Sequence, residues 1–137
     1  MTDDGPTSKP ILINATPQLF VSDIVASCDF FTRVLGFGVE FVYGEPPFYA
    51  QVIRDGASLA LRHVDRPVLE KLAEAMKTDV DMLAGSISVD NVQALYREFQ
   101  AAGAAFHQDL RAEAWGARTF IVRDPDGNLL LFAGSAD

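Results

Sequence analysis

The chain predicts an α+β fold in which two βαβββ repeats form a curved mixed sheet, a cup with helices behind it. One observation is a repeated hairpin. Residues 48–54 and 57–62 flank Asp55-Gly56, a dipeptide that tolerates the positive φ of a two-residue turn. Residues 115–123 and Leu129-Leu130-Leu131-Phe132 flank Asp124-Pro125-Asp126-Gly127-Asn128 in the same manner, and such clusters reverse the chain. The other observation is a common spacing. Asp23 and Asp90, Val25 and Val92, and Gly36 and Gly103 each stand 67 residues apart. One offset shared by helix cap, stripe and stop indicates duplication.

The elements follow in order. Gln18-Leu19-Phe20-Val21 reads as a strand, and Asp23 offers an N-cap for a helix with Ile24, Cys28, Phe31 and Leu35 on one face. Gly36 stops it. A strand from Phe37 to Val42 and the loop Tyr43-Gly44-Glu45-Pro46-Pro47 lead into the first hairpin. A short helix from Val68 to Lys77 joins the halves. Ser86-Ile87-Ser88-Val89 opens the second repeat, and Asp90 is the expected cap of a helix whose face carries Val92, Leu95, Tyr96 and Phe99. After Gly103, Ala104-Ala105-Phe106-His107 begins a strand, Asp109 to Glu113 reads as a loop, and Trp115 opens the last hairpin.

At 137 residues the chain predicts one domain, able to bury roughly two thirds of its unfolded surface. Residues 1–12 read as a flexible leader and 13–135 as the domain, with repeats at about 14–64 and 84–133 and the linker helix at 66–78. Apolar residues make up 49% and charged residues 22%, and no apolar run approaches the ~20 residues of a membrane span. The leader lacks the basic and apolar regions of a secretion signal, so the expected compartment is the cytoplasm. Cys28 is the lone cysteine and reads as a buried structural thiol. A net charge of −8 opposes binding to nucleic acid and anionic membranes and favours cationic ligands, while also serving solubility.

Covalent chemistry finds no support. Ser58, Ser86 and Ser88 lack a His-Asp context, and there is no nucleophile elbow, phosphate loop or dinucleotide fingerprint. Asp124 and Asp126 read as turn carboxylates bonded to nearby amides.

The paired repeats and the Asp-Pro-Asp-Gly-Asn turn resemble the vicinal oxygen chelate superfamily, which includes glyoxalase I, extradiol dioxygenases, fosfomycin-modifying enzymes and bleomycin-resistance proteins. Ala15-Thr16-Pro17, Asp29-Phe30-Phe31-Thr32-Arg33-Val34-Leu35-Gly36-Phe37 and Trp115-Gly116-Ala117-Arg118 look most like the bleomycin-resistance branch. That resemblance implies a homodimer that sequesters a small molecule in interface grooves. Phe41, Phe48 and Trp115 match its aromatic contacts, and Pro17 matches a proline where an N-terminal arm crosses between subunits.

Enzymes of the superfamily hold a divalent metal on four strands, and the resemblance places those positions at Thr16, Ala60, Ala84 and Leu131. Alanine and leucine have no donor atom. No metal and no cofactor are therefore expected. His63 and His107 remain, without a recognisable carboxylate partner; His63 is expected to point away from the cup.

The expected function is non-catalytic binding of an aromatic or cationic compound. The alternative is a metal-dependent lyase, isomerase or dioxygenase with displaced ligands. Phe48 and Trp115 would stack on the ligand, with Arg62 and Gln18 orienting it. Trp115 could instead cap the core, Phe41 could pack inside it, and Arg62 could either enter the cup or snorkel to water.

Overall fold

The computed structural model describes residues 9–135; of the leader expected at 1–12, residues 1–8 lie outside the described residues. The order is β1 (Gln18–Val21), α1 (Ile24–Arg33), β2 (Gly38–Tyr43), β3 (Tyr49–Arg54), β4 (Ala57–His63), α2 (Arg66–Ala75), β5 (Leu83–Ser88), α3 (Val92–Ala101), β6 (Ala105–Ala112), β7 (Ala117–Arg123) and β8 (Leu129–Ser135). This is βαβββ twice, joined by α2. Hydrogen bonding divides the strands into two four-stranded sheets of matching order, β1-β4-β3-β2 and β5-β8-β7-β6. In each, the first strand pairs parallel with the last and the others pair antiparallel.

Strand alternation decides what each sheet buries. Leu19, Val21, Ala50, Val52, Leu59 and Leu61 turn one face of the first sheet into the core with Ile24, Cys28 and Phe31 of α1. In the second sheet Phe120, Val122, Leu130 and Phe132 meet Val92, Leu95 and Phe99 of α3. All belong to one cluster. Phe120 and Phe132 stack at 5.1 Å, and Phe99 meets them edge-on at 5.8 and 5.2 Å. Each such ring contributes about 1.5–3 kcal/mol by leaving water. The opposite, open face of each sheet carries no helix of its own repeat.

Three expectations are corrected. Asp23 caps α1 by accepting the Ala26 N–H at 3.1 Å, but α3 is capped by Asn91, not Asp90, through the Ala94 N–H at 3.1 Å. The helices thus stand 68 residues apart, while the left-handed stop glycines Gly36 and Gly103 (φ 72° and 81°) keep the 67-residue spacing. Second, Asp109 to Glu113 is no loop, because β6 continues to Ala112 with its register shifted twice. Those irregularities break the apolar alternation by which a strand is recognised.

Third, Phe41 is not a core residue. In register, Val39 faces Val52 and Phe41 faces Gln51, so Glu40 is an extra residue in β2. A regular strand would set Phe41 on the same side as Phe37 and Val39. The bulge turns it to the open face, where it is 41% exposed.

The turn 124–128 ties the repeats together. Asp124 is buried, and its Oδ1 accepts the N–H groups of Asp126 and Asn128 at 2.9 and 2.7 Å. Asn128 donates its side-chain amide to Asp124 Oδ2 at 2.9 Å and to the Phe20 carbonyl at 3.0 Å. The Asp126 carboxylate accepts the N–H of Ser22, just after β1, in place of the local amide that the sequence suggests.

Candidate functional site

The open face of the first sheet is aromatic. Phe20, Phe41 and Tyr43 are exposed there, and Phe41 and Tyr49 pack at 5.9 Å. Phe48, just before β3, lies at the sheet margin, edge-on to Tyr43 at 5.9 Å. The Arg62 guanidinium stands over its ring at 5.6 Å. Arg62 is exposed, so its charge stays in water while the planar group covers the ring. Gln18 is exposed and pairs in register with Ala60, beside the Gln51–Ser58 hydrogen bond of 2.9 Å. The fold therefore brings Phe48 to Arg62 and places Gln18 and Phe41 on the same sheet.

Trp115 belongs to the other sheet, in the β6–β7 turn. The Gly116 N–H bonds to the Glu113 carbonyl at 3.1 Å and the Glu113 N–H to the Ala117 carbonyl at 2.7 Å, and Gly116 takes a φ of 94°. Trp115 projects from this closed turn 75% exposed. It does not cap the core, and among the described residues it makes no ring contact. The turn is anchored to the open face by Thr119, whose hydroxyl donates to Glu113 Oε2 at 2.7 Å and accepts from Gln108 Nε2 at 3.0 Å. The Thr119 bond and then Arg111, at 3.2 Å, hold the Glu113 carboxyl below its usual range.

Metal-donor chemistry is poor at the four positions named above. Ala60 is buried and Thr16, Ala84 and Leu131 are half-buried; a single hydroxyl is the only donor among their side chains. Among the described residues no three His, Cys, Asp or Glu side chains are grouped to hold a metal ion. These residues do not fit the superfamily's metal. Both histidines, however, do have carboxylate partners: His63 meets Asp65 at 3.2 Å and His107 meets Asp81 at 2.8 Å. Neither carboxylate lies on the histidine's strand, so strand parity could not reveal it. His63 lines a hollow of about 280 Å³ with Phe48 and the first residues of α1, away from the open face as expected.

A model of the Glyoxalase/Bleomycin resistance protein/Dioxygenase superfamily matches residues 13–132. The chain belongs to this superfamily. Several solved structures share the glyoxalase/bleomycin-resistance fold with it. A bleomycin-binding protein complexed with bleomycin is 24% identical, with a TM-score of 0.68 over 89% of this chain and 98% of the other. The bleomycin-binding protein of Streptomyces verticillus with copper(II)-bleomycin is 23% identical, with a TM-score of 0.69 over 90% and 97%. A glyoxalase-related enzyme from Clostridium phytofermentans is 18% identical, with a TM-score of 0.70 over 92% and 97%. At these identities the likeness is one of fold. No curated protein matches the chain.

Within this glyoxalase/bleomycin-resistance fold, sequence reasoning missed Phe20, Tyr43 and Tyr49 as parts of the aromatic face, and Glu113 and Thr119 as the anchor of the tryptophan turn. The alternation of Tyr49 and Gln51 carried a signal for the first set. The second was hidden by the irregular register of β6. No helix among the described residues is long and apolar enough to cross a membrane.

Proposed function

We propose that the protein is a non-catalytic binder of a small aromatic or cationic molecule and works as a homodimer. The observation that carries this reading is Trp115, 75% exposed and without a ring partner among the described residues, on a turn fixed by four hydrogen bonds. A rigid exposed indole offers stacking area at little entropic cost. The aromatic open face of the first sheet supplies the opposing wall, with Phe48 and Phe41 as stacking groups and Arg62 and Gln18 as orienting polar groups. Phe48 and Trp115 lie on different sheets, and a second copy would bring the Trp115 of one subunit over the Phe48 of the other. A contiguous exposed aromatic surface is what an interface groove of this kind requires. Two similar structures carry bleomycin, which makes that antibiotic the first ligand to try.

The lone tryptophan is its own reporter. Sedimentation should give a dimer, and metal-free or copper-loaded bleomycin should quench and blue-shift Trp115 fluorescence with matching heat in calorimetry. Trp115→Ala should weaken binding about tenfold or more. If bleomycin gives no heat but another planar aromatic compound saturates the signal, the antibiotic reading fails and the binder reading stands. A monomer that binds no aromatic compound overturns both.

A further inference from the structure

Helix α2 is unusual in this molecule, because it buries none of its 10 residues. An isolated helix shorter than about 12 residues is marginal in water and relies on packing of its apolar face. Here that face looks into a groove of about 370 Å³. Leu69, Leu72 and Met76, from α2 and its C-cap, form one wall, and Met82, Phe20 and Leu129 form others. The volume falls in the usual range of small-molecule sites, about 300–1,000 Å³. Paired methionines give an apolar wall that adapts to what enters.

The polar end of the groove is organised. Arg123 donates to His107 Nδ1 at 2.8 Å, which leaves the proton on Nε2, and Nε2 donates to Asp81 Oδ1 at 2.8 Å. This chain fixes the Asp81 carboxylate at the groove wall, and its Oδ2 takes no hydrogen bond among the described residues. Asp126 also lines the groove. The one lysine there, Lys77, is held by Glu74 at 3.0 Å. Of the charges that line the groove, Lys77 is paired while Asp81 and Asp126 have no direct cationic partner among the described residues, and Arg123, outside the lining, reaches Asp81 only through His107.

We propose that the groove beneath α2 is a small-molecule site for an amphiphilic organic cation, with an apolar body against Leu72, Met76 and Phe20 and an ammonium- or amidinium-type head on Asp81. Charge complementarity at the Asp81 end selects this occupant over a fatty acid or a neutral lipid. The site shares Phe20 with the edge of the aromatic face but uses none of Phe48, Trp115, Arg62, Gln18 and Phe41, and it does not depend on the function proposed above.

The three methionines of the chain include two in the groove, so ε-¹³C-methionine spectra of the full chain report on it directly. The probes are 4-phenylbutylammonium, 4-phenylbutanol and 4-phenylbutanoate. The ammonium should shift the Met76 and Met82 methyl signals saturably, the alcohol should bind more weakly, and the carboxylate weakest. Asp81→Asn should weaken the ammonium roughly five- to tenfold and leave the alcohol unchanged. Asp55→Asn, the same charge change at a turn residue outside this groove, should leave all three probes unchanged and so control for the overall acidity. Leu72→Asp, on the exposed helix, should abolish the shifts with the circular dichroism spectrum retained. Equal binding of the three probes, equal effects of the two asparagine variants, or no saturable shift would overturn the proposal. So would Met76 and Met82 signals that move with protein concentration alone, which would show a second copy seated in the groove.

Discussion

Asp126 accepts the backbone N–H of Ser22 at 3.1 Å across 104 residues of sequence. The turn closing the second repeat thereby holds the end of the first strand of the first repeat, and Asn128 doubles the clasp through the Phe20 carbonyl. Asp126→Ala removes one of these bonds and should lower the unfolding free energy by about 1 kcal/mol; Asn128→Ala also strips a donor from buried Asp124 and should cost about 2–3 kcal/mol. Urea unfolding of the two variants checks this, and equal losses would be inconsistent with the geometry.

Burial pushes the Asp124 carboxyl from 3.8 up to about 6, against the pull of the donors at Asn128 and Asp126. Between those values the folded chain binds the proton and the unfolded chain does not, so this group's contribution falls as pH rises from about 4 to 6. At about 1.4 kcal/mol per pH unit the loss amounts to roughly 3 kcal/mol. A carboxyl ¹³C titration of Asp124 should show a midpoint near 6. A midpoint below 4 would mean that the N–H donors outweigh desolvation.

Gly36 stands at φ 72°, and a Cβ there would lie 2.8 Å from Arg54 Nη1 and 3.3 Å from Glu98 Oε2. Arg54 joins the repeats by pairing Glu98 through both nitrogens, at 2.7 and 3.0 Å, and by donating to the Leu35 carbonyl at 2.8 Å. Gly36→Ala should cost about 1–2 kcal/mol from backbone strain alone. It should also displace the Arg54 guanidinium, so that Glu98→Gln becomes less damaging when combined with Gly36→Ala than in the native chain. Additive losses in the double-mutant cycle would contradict this coupling.

Cys28 is buried against the core, and desolvation raises its thiol above the ordinary value. Thiolate, the reactive form, is thus scarce and shielded. A disulfide reagent at neutral pH should react with the native protein only at the rate of opening and react at once in denaturant. Fast labelling of the folded chain would place Cys28 at the surface.

The repeats, the hairpins and the helix faces were legible because each follows from local spacing. Leu19 and Val21, or Cys28 and Phe31, recur as their elements require, and Asp23 caps as its side chain predicts. What could not be read were register shifts and distant pairings. Glu40 and the irregular β6 interrupt the two-residue period. Asp126 with Ser22, and His107 with Asp81 and Arg123, are contacts between segments far apart in sequence. For the candidate site, the spacing identified Phe48, Trp115 and Arg62 as surface-capable groups but not the anchor beneath Trp115, since Glu113 fell where the pattern looked like a loop.

The bulge at Glu40 gives this architecture a short route to new chemistry. Pairing Glu40 itself with Gln51 in a regular ladder, a slip of one residue in β2, would send Phe41 toward the helices and bring its neighbour Val42 outward, exchanging an aromatic wall for an aliphatic one. A slip of one residue in a single strand can therefore rewrite what a small molecule meets while the amino acids that hold the protein together stay the same.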